Sequence, residues 1–479
     1  MNVVIFGAGI SGLTVAHELI EKGFKVEVYE KDVIAGGMAR TYRNKDNVPT
    51  EHSWRGYAPF YYNTYEIMKR IPISENFSDS KEFTIDEVKK HNKEDDLWVI
   101  YKGNIYDISY YVNDHPGGKS NIVSAAGKDV EEYWKEKGYE FHINNSHVIS
   151  HLTRNKVGKL KETFANKSVY DNLNHNGLNF KFLYNDDKGR GEPKLNFRDY
   201  VFLFFLFGKV IFSNLRRQDY FKIRLDPLLK KNLSVEGYHY IADFLAGPGF
   251  GFDKNTMSLG HYAIFVEFNL YTNLEKWKVM SKPTSEGWID PWVKYLKDKG
   301  VKFHFKNELV NINFNEKNIV SCEVKNKKGH QEINFDNYVM AINPFSLEKI
   351  LKKSKNKVNP LIKKLSKMNT VNNQISFRLG FDKKIDFKTK YGGFVLIDSP
   401  YNITFYSQDS HWCKDEFYSD KSIWSGTIIQ PFNKGNLYGK TALELNRDQL
   451  INEIINQFME SNVLKDIVYK ENNFNLIKD

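Results

Sequence analysis

Apolar residues recur along the chain with two different periods, and the points where the period changes mark its elements. Residues 3–6 form an unbroken apolar run short enough for a buried strand, and from residue 10 onward Leu13, Ala16 and Leu19 take up helical spacing. Residues 25–29 return to a strand pattern that ends on Glu30. The aromatic-rich stretch 56–73 predicts a helix. Residues 98–101 and 105–108 read as two apolar strands around a Lys-Gly-Asn turn. Stretches 197–212, 220–229 and 238–245 read as helices rich in aromatic residues, suited to walling an apolar cavity. Strand patterns then dominate at 301–305, 308–314, 319–324, 335–343, 375–381 and 393–397, and 443–458 reads as an amphipathic helix.

The first of these transitions carries chemistry. Gly7, Gly9 and Gly12 sit between the first strand and the helix, with Ser11 in the helix's first turn. Gly7 supplies the tight turn, Gly9 lets backbone approach a pyrophosphate, and Gly12 lets helix and strand pack closely. The helix presents its N-terminus to phosphate, and Glu30 stands where an acid accepts hydrogen bonds from an adenosine ribose. A GxGxxG alone is a weak signal, but strand, glycines, helix, second strand and acid in this order point to a dinucleotide.

The next residues choose among dinucleotides. Gly36-Gly37 followed by Ala39-Arg40 resembles the second glycine motif of the FAD-dependent amine oxidase and phytoene desaturase superfamily, in which the glycines and arginine reach the flavin diphosphate. The resemblance implies FAD held by Gly7, Gly9, Ser11, Gly12, Glu30, Gly36, Gly37 and Arg40, with the backbone of Val310 passing the adenine. Residues 49–72 (PTEHSWRGYAPFYYNTYEIMKRIP), 283–296 (PTSEGWIDPWVKYL) and 399–412 resemble a subgroup near the carotenoid and phytoene desaturases and the squalene-forming dehydroxylases. That likeness implies that Glu51 and His52 lie near the isoalloxazine ring as weak catalytic candidates; a loop acid and a helix-capping histidine are the competing reading. Trp288 and Trp292, four apart, read as core.

At residues 74–80 the chain turns polar and linker-like, and 81–160 resembles a cytochrome b5 domain. The likeness rests on Phe83-Thr84, Glu87-Val88, His91-Asn92, residues 96–99 and 112–118, and Gly127-Lys128-Asp129. It implies a haem b. His115, placed at the end of a strand by the bend at Pro116, Gly117 and Gly118, is one axial ligand. His142 is the better match for the second, before Ser146-His147-Val148, with His147 as the alternative; His147 and His151, four apart, are also either a metal pair or a solvated helix face. Two axial histidines leave no site for oxygen, so such a haem carries single electrons. Residues 168–173 (SVYDNL) resemble the segment that follows residue 72 in uninterrupted relatives, so the haem module reads as an insertion.

The expected architecture is an α/β FAD-binding Rossmann-type domain of amine oxidase kind with a helical substrate domain, interrupted by an α+β cytochrome b5-like domain. The parts fall at 1–73, 81–160, 168–300 and 301–479. Members of the superfamily close with a strand, a Gly-Asp pair and a helix, and no such motif precedes Asp479. A fragment of a longer protein, a C-terminal partner chain and a loss of FAD binding are the open explanations.

Composition refines this picture in three ways. The net charge of +10 arises from lysine spread along the whole chain without an arginine cluster, which argues against nucleic acid as a partner. Residues 81–160 hold 12 basic and 13 acidic side chains, so the host part carries the basic excess. Two cysteines, Cys322 and Cys413, with no CxxC, fit a reducing, cytoplasmic setting, and the chain enters its first strand too early for a signal peptide. Residues 200–212 fall short of the ~20 apolar residues of a membrane span; a buried helix, a dip into a membrane surface and a channel wall are the alternatives. Two functions stand. One is an FAD oxidoreductase acting on a small apolar substrate, isoprenoid or amine, that exchanges electrons with its haem and an external donor or acceptor. The other is a haem electron carrier on a non-catalytic scaffold.

Overall fold

The structure, a computed structural model, describes residues 1–45, 47–51, 55–73, 81–143, 145–152, 154–160, 167–174, 180–183, 194–213, 218–245, 256–272, 277–315, 318–354, 364–365, 374–385, 393–408, 411–412, 421–461 and 464. His52 and Cys413 lie outside them, and of His147 only the backbone is described. The chain divides into two units, Met1–Ile71 with Val169–Asp479, and Pro72–Ser168.

In the first unit β1 (Asn2–Phe6), α1 (Ile10–Glu21) and β2 (Lys25–Glu30) form the expected strand-helix-strand. With β3 (Lys302–Phe305) and β4 (Asn337–Met340) they make a sheet of order β3-β2-β1-β4 in which every pairing is parallel. Parallel strands are covered on both faces and so read as apolar runs; Val4, Ile5 and Phe6 are buried accordingly. Helix α1 is fixed to the helix Asp290–Asp298 by polar contacts of Trp292 with His17 and of the Tyr295 hydroxyl, which donates to Glu21 Oε1 at 2.8 Å. The Trp292 indole N–H donates to His17 Nδ1 at 2.9 Å, and His17 Nε2 lies 3.0 Å from Glu21 Oε1. Trp288 and Trp292 are both buried and stacked at 5.6 Å, as core.

A second sheet runs in the order Phe180–Leu183, Gly393–Leu396, Ile403–Ser407, Ser422–Ile428, Ile375–Phe381. One of its faces, with Phe394, Phe405 and Trp424, packs on Ile454 and Phe458 of the helix Arg447–Met459. That helix starts later than the pattern predicted because Asn446 caps it, in a reciprocal box with Gln449. The predicted helix 220–229 starts only at Leu225: backbone at 223–225 is already bonded to 257–259, through Leu225 N–H to Met257 O and Leu259 N–H to Ile223 O. The helix Phe197–Ile211 buries Leu203 but leaves Phe204 73% exposed and Phe197 84%, so the fully buried reading is corrected. Among the described residues no helix is long and apolar enough to cross a membrane.

The second unit has a five-stranded sheet in the order Lys81–Phe83, Lys156–Leu160, Asn104–Asp107, Asp96–Tyr101, Asn92–Lys93. Lys102 and Gly103, at φ 49° and 72°, make the two-residue hairpin turn between the central strands. His115 does not end a strand, as its sequence context predicted. The strand stops at Asp107, whose carboxylate accepts the N–H of Ser109 at 2.9 Å and draws the chain into a tight 3-10 turn at Ser109–Tyr111.

Burial lowers the His17 pKa, and its neutral form is the one that accepts from Trp292. A depressed histidine contributes stability that is present above its unfolded pKa and lost as pH falls through the folded one. Urea unfolding from pH 7.5 down to pH 5 is therefore expected to show a loss of stability that His17→Gln reduces.

Candidate functional site

The turn from β1 to α1 is built by close backbone approach. Gly7 sits at φ +102°, where a Cβ would lie 2.3 Å from the Ala341 carbonyl, and its N–H donates to the Tyr29 carbonyl at 2.8 Å. A Cβ on Gly12 would lie 1.9 Å from the Gly7 oxygen. Gly9 caps α1, and the nearest neighbour of a Cβ there, Gly37 Cα, is 3.9 Å away, so this glycine faces open space. The Gly36 N–H donates to the Ala8 carbonyl at 2.8 Å and brings the second glycine pair against the first. Between them opens a cavity of about 430 Å³, lined by Gly9, Ile10, Ser11, Gly36, Met38 and Arg55 among others. A helix N-terminus with free backbone N–H groups over such a space fits a pyrophosphate.

Glu30 stands beside the glycine turn. Its buried carboxylate accepts the Ala8 N–H at 2.7 Å and the Asp32 N–H at 2.9 Å, which fixes it beside the glycine turn. The Asn307 N–H donates to the Glu30 carbonyl and the Lys306 N–H to that of Asp32, so the strand Glu308–Asn315 begins beside Glu30. Val310 stands at a register shift of this strand, between the pairs Leu309–Val324 and Asn311–Glu323. Arg40 is engaged with the Asp32 carboxylate.

Sequence reasoning missed Arg55. It lines the cavity, its Nε lies 2.9 Å from Glu51 Oε1, and its Nη2 donates to the Met38 carbonyl at 2.8 Å. The signal was its place four residues after Glu51 in the same motif. Glu51 is a buried acid, 4% exposed, and accepts from the Thr284 N–H at 3.1 Å and hydroxyl at 2.7 Å. Burial pushes its pKa up, against the opposing pull of Arg55, Thr284 and Arg378. The reciprocal bonds Thr41 N–H to Ser285 Oγ and Ser285 N–H to Thr41 Oγ1 hold this segment to 284–286.

In the second unit the two candidate ligands share one device. His115 Nδ1 donates to the Gly118 carbonyl at 3.3 Å, and His142 Nδ1 donates to the Tyr139 carbonyl at 3.1 Å. A carbonyl only accepts, so each ring carries its proton on Nδ1 and keeps the Nε2 lone pair for a metal. A Cβ on Gly117 would lie 2.9 Å from His115 Cε1, so glycine is needed for the imidazole to fold back over the turn. His142 stacks on Trp134 at 5.1 Å, and Tyr111 meets His115 edge-on at 5.8 Å. The surrounding cluster, with Val99, Tyr106, Val112, Ile122 and Leu152, supplies the apolar walls a haem requires. His151 stacks on Tyr111 at 4.6 Å, which corrects the solvated-face reading for this residue. Among the described residues no group of three or more metal-ligating side chains forms.

Fold and sites together define an amine-oxidase-like fold that carries a cytochrome b5-like module. Residues 84–161 match the family model of the cytochrome b5-like heme/steroid binding domain, and residues 5–71 match that of the NAD(P)-binding Rossmann-like domain. The chain is similar to cytochrome b5 of Drosophila melanogaster, 36% identical over 85 residues, which is 18% of this chain and 60% of that protein. It is also similar to nitrate reductase [NADH] 1 of Oryza sativa subsp. japonica, 33% identical over 22% of this chain and 11% of that protein. The chain thus spans less than two thirds of the curated relatives named here. Among solved structures, a redesigned putrescine oxidase aligns over 99% of this chain and 84% of its own, with a TM-score of 0.55 at 12% identity, a likeness of fold. The match of residues 84–161 indicates haem, and the likeness to putrescine oxidase is one of fold.

Gly12→Ala is expected to cost roughly 3 kcal/mol or more and to abolish retention of FAD, because its Cβ collides with fixed backbone. Gly23→Ala, at φ +82° with nothing within 4 Å, should cost only about 1–2 kcal/mol and retain the flavin. Denaturant melts and flavin absorbance after gel filtration check both.

Proposed function

We propose that the chain is an FAD-dependent oxidoreductase of amine oxidase or desaturase type that exchanges electrons between its flavin and a bis-histidine haem. The observation that supports it best is the pair of Nδ1-anchored histidines in the same chain as a dinucleotide crevice. A bound flavin handles electrons in pairs or singly and a haem handles them singly, so together they join two-electron to one-electron chemistry.

The chain's own residues take the following parts in this reading. Backbone N–H groups at Gly9 to Gly12 and the Gly36-Gly37 pair bind the pyrophosphate, Glu30 orients the ribose, and Val310 passes the adenine. Arg40, paired with Asp32, sets charge at the rim. Glu51, held by Thr284 and Arg55 and raised in pKa by burial, is the group suited to hold or move a proton on its carboxylate oxygens. His115 and His142 hold the haem iron through Nε2. The substrate is a small molecule with an apolar body, of the isoprenoid or amine kind, and the aromatic contacts of Phe60 with Phe265, Phe268 and Trp277 suit such a body. An external donor or acceptor balances the electrons.

Expression of the full chain with FAD and a haem precursor is expected to yield a protein whose spectrum holds flavin bands and those of a six-coordinate, low-spin haem. His115→Ala and His142→Ala should each abolish the low-spin spectrum, and His147→Ala should preserve it. A haem spectrum without flavin would overturn the enzyme reading in favour of an electron carrier, and a low-spin spectrum surviving in His142→Ala would move the second ligand elsewhere.

A further inference from the structure

The helix Phe197–Ile211 is apolar on two sides, and the fold uses one of them. Leu203 joins a core with Leu225, Leu229 and Tyr262, and Leu206 and Phe207 pack against that core. A surface helix ordinarily sets polar and charged residues opposite such a stripe. Here the opposite side carries Phe197, Tyr200, Val201, Phe204, Phe205 and Phe212. Phe212 stands one residue past the helix, and its N–H still donates to the Gly208 carbonyl at 3.1 Å. The aromatic residues of this group are each at least 60% exposed. At 3.6 residues per turn the six positions fall in one continuous stripe about 140° wide, opposite Leu203 and Leu206.

An exposed apolar patch of this kind marks a surface for protein or for membrane, and charge decides between them. Between Phe197 and Phe212 the sequence holds one acid, Asp199. It is 0% exposed and accepts the Asn196 N–H at 3.1 Å, the Ser234 N–H at 2.8 Å and the Ser234 hydroxyl at 2.5 Å, so its charge is held inside. Arg198 and Lys209 are exposed. They stand eleven residues, or about three turns, apart, and so lie on one line along an edge of the aromatic stripe. Lys194 adds an exposed cation just ahead of the helix. A second copy of the chain would bring the same cations to the contact and no exposed acid from this helix to meet them. An anionic lipid surface matches both parts of the pattern: the rings enter the boundary between headgroups and acyl chains, and the long basic side chains reach the phosphates beside them. At 1.5 Å per residue the 15-residue helix is about 22 Å long, short of the ~30 Å of a hydrocarbon core, so it lies along the surface without spanning it.

We propose that the face from Phe197 to Phe212 is a membrane-docking surface that seats the chain on bilayers containing anionic lipid. The proposal is independent of the oxidoreductase reading, since no cofactor takes part in the contact.

Flotation of the purified full chain with phosphatidylcholine vesicles, made with and without phosphatidylserine, tests it. The chain should bind the vesicles that hold phosphatidylserine, and high salt should weaken binding by screening the headgroup charge. Phe204→Ser together with Phe205→Ser should lower the affinity about tenfold or more. Arg198→Gln and Lys209→Gln should each lower it about fivefold, and Lys328→Gln, in the exposed turn between the strands Asn318–Asn326 and Gly329–Ile333, should leave it unchanged. Because the substituted side chains are exposed, Tm should stay within about 2 °C of the parent; where the double variant melts early, the two charge variants still decide. Absence of binding, equal binding to both kinds of vesicle, binding indifferent to the double substitution, or a loss with Lys328→Gln equal to that with Lys209→Gln would overturn the proposal. A dimer in solution that the double variant converts to monomer, with no vesicle binding, would overturn it in favour of a second copy on this face.

Discussion

The close approach of Gly12 to the Gly7 carbonyl is the constraint on which the host unit depends. With a Cβ at residue 12 only 1.9 Å from that oxygen, no other residue lets α1 begin where it does. The start of α1 places Gly9 over open space, and the Ala8 N–H, one residue earlier, ties to the Glu30 carboxylate. Glu30 and Asp32 in turn receive the chain at Lys306 and Asn307 through backbone bonds. One backbone contact thus sets the glycine turn, the place of Glu30 and the start of the strand Glu308–Asn315. The helix Asp290–Asp298 then locks the outer side of α1 through Trp292 and His17, a bond that requires neutral imidazole.

The b5-like module solves a different problem with equally local means. A haem ligand must offer Nε2, and imidazole tautomers differ little in energy in water. Backbone carbonyls at Gly118 and Tyr139 remove that ambiguity at His115 and His142. Neither bond depends on distant parts of the chain, since each partner lies three residues from its histidine. A module of about 80 residues thus orients both imidazoles within the span of its own sequence.

What sequence reading recovers follows the range of the interaction. The glycine turn, the hairpin at Lys102 and Gly103 and the histidine turns are local, and the residue types that build them are visible directly. The helix at Leu225 was misplaced because its start waits for the remote segment 257–259, whereas the strand before His115 was misplaced although the Asp107–Ser109 turn that stops it is local. The strand Ser422–Ile428 escaped notice because small and polar residues, Ser425, Gly426 and Thr427, occupy a buried sheet. Burial of Thr404 and Ser425 is a fact of tertiary packing that no periodicity reports. Arg55 was missed because its significance comes from Glu51 and Met38, brought to it by the fold.

The central claim is that the two halves of this chain work on the same electrons. The most direct measurement is anaerobic photoreduction of the flavin in the purified full chain, with haem absorbance followed in time over a range of protein concentrations. The account predicts that the haem is reduced after the flavin at a rate independent of protein concentration, and that haem-free His115→Ala leaves the reduced flavin to accumulate. A haem that stays oxidised, or that is reduced at a rate proportional to protein concentration, would contradict it.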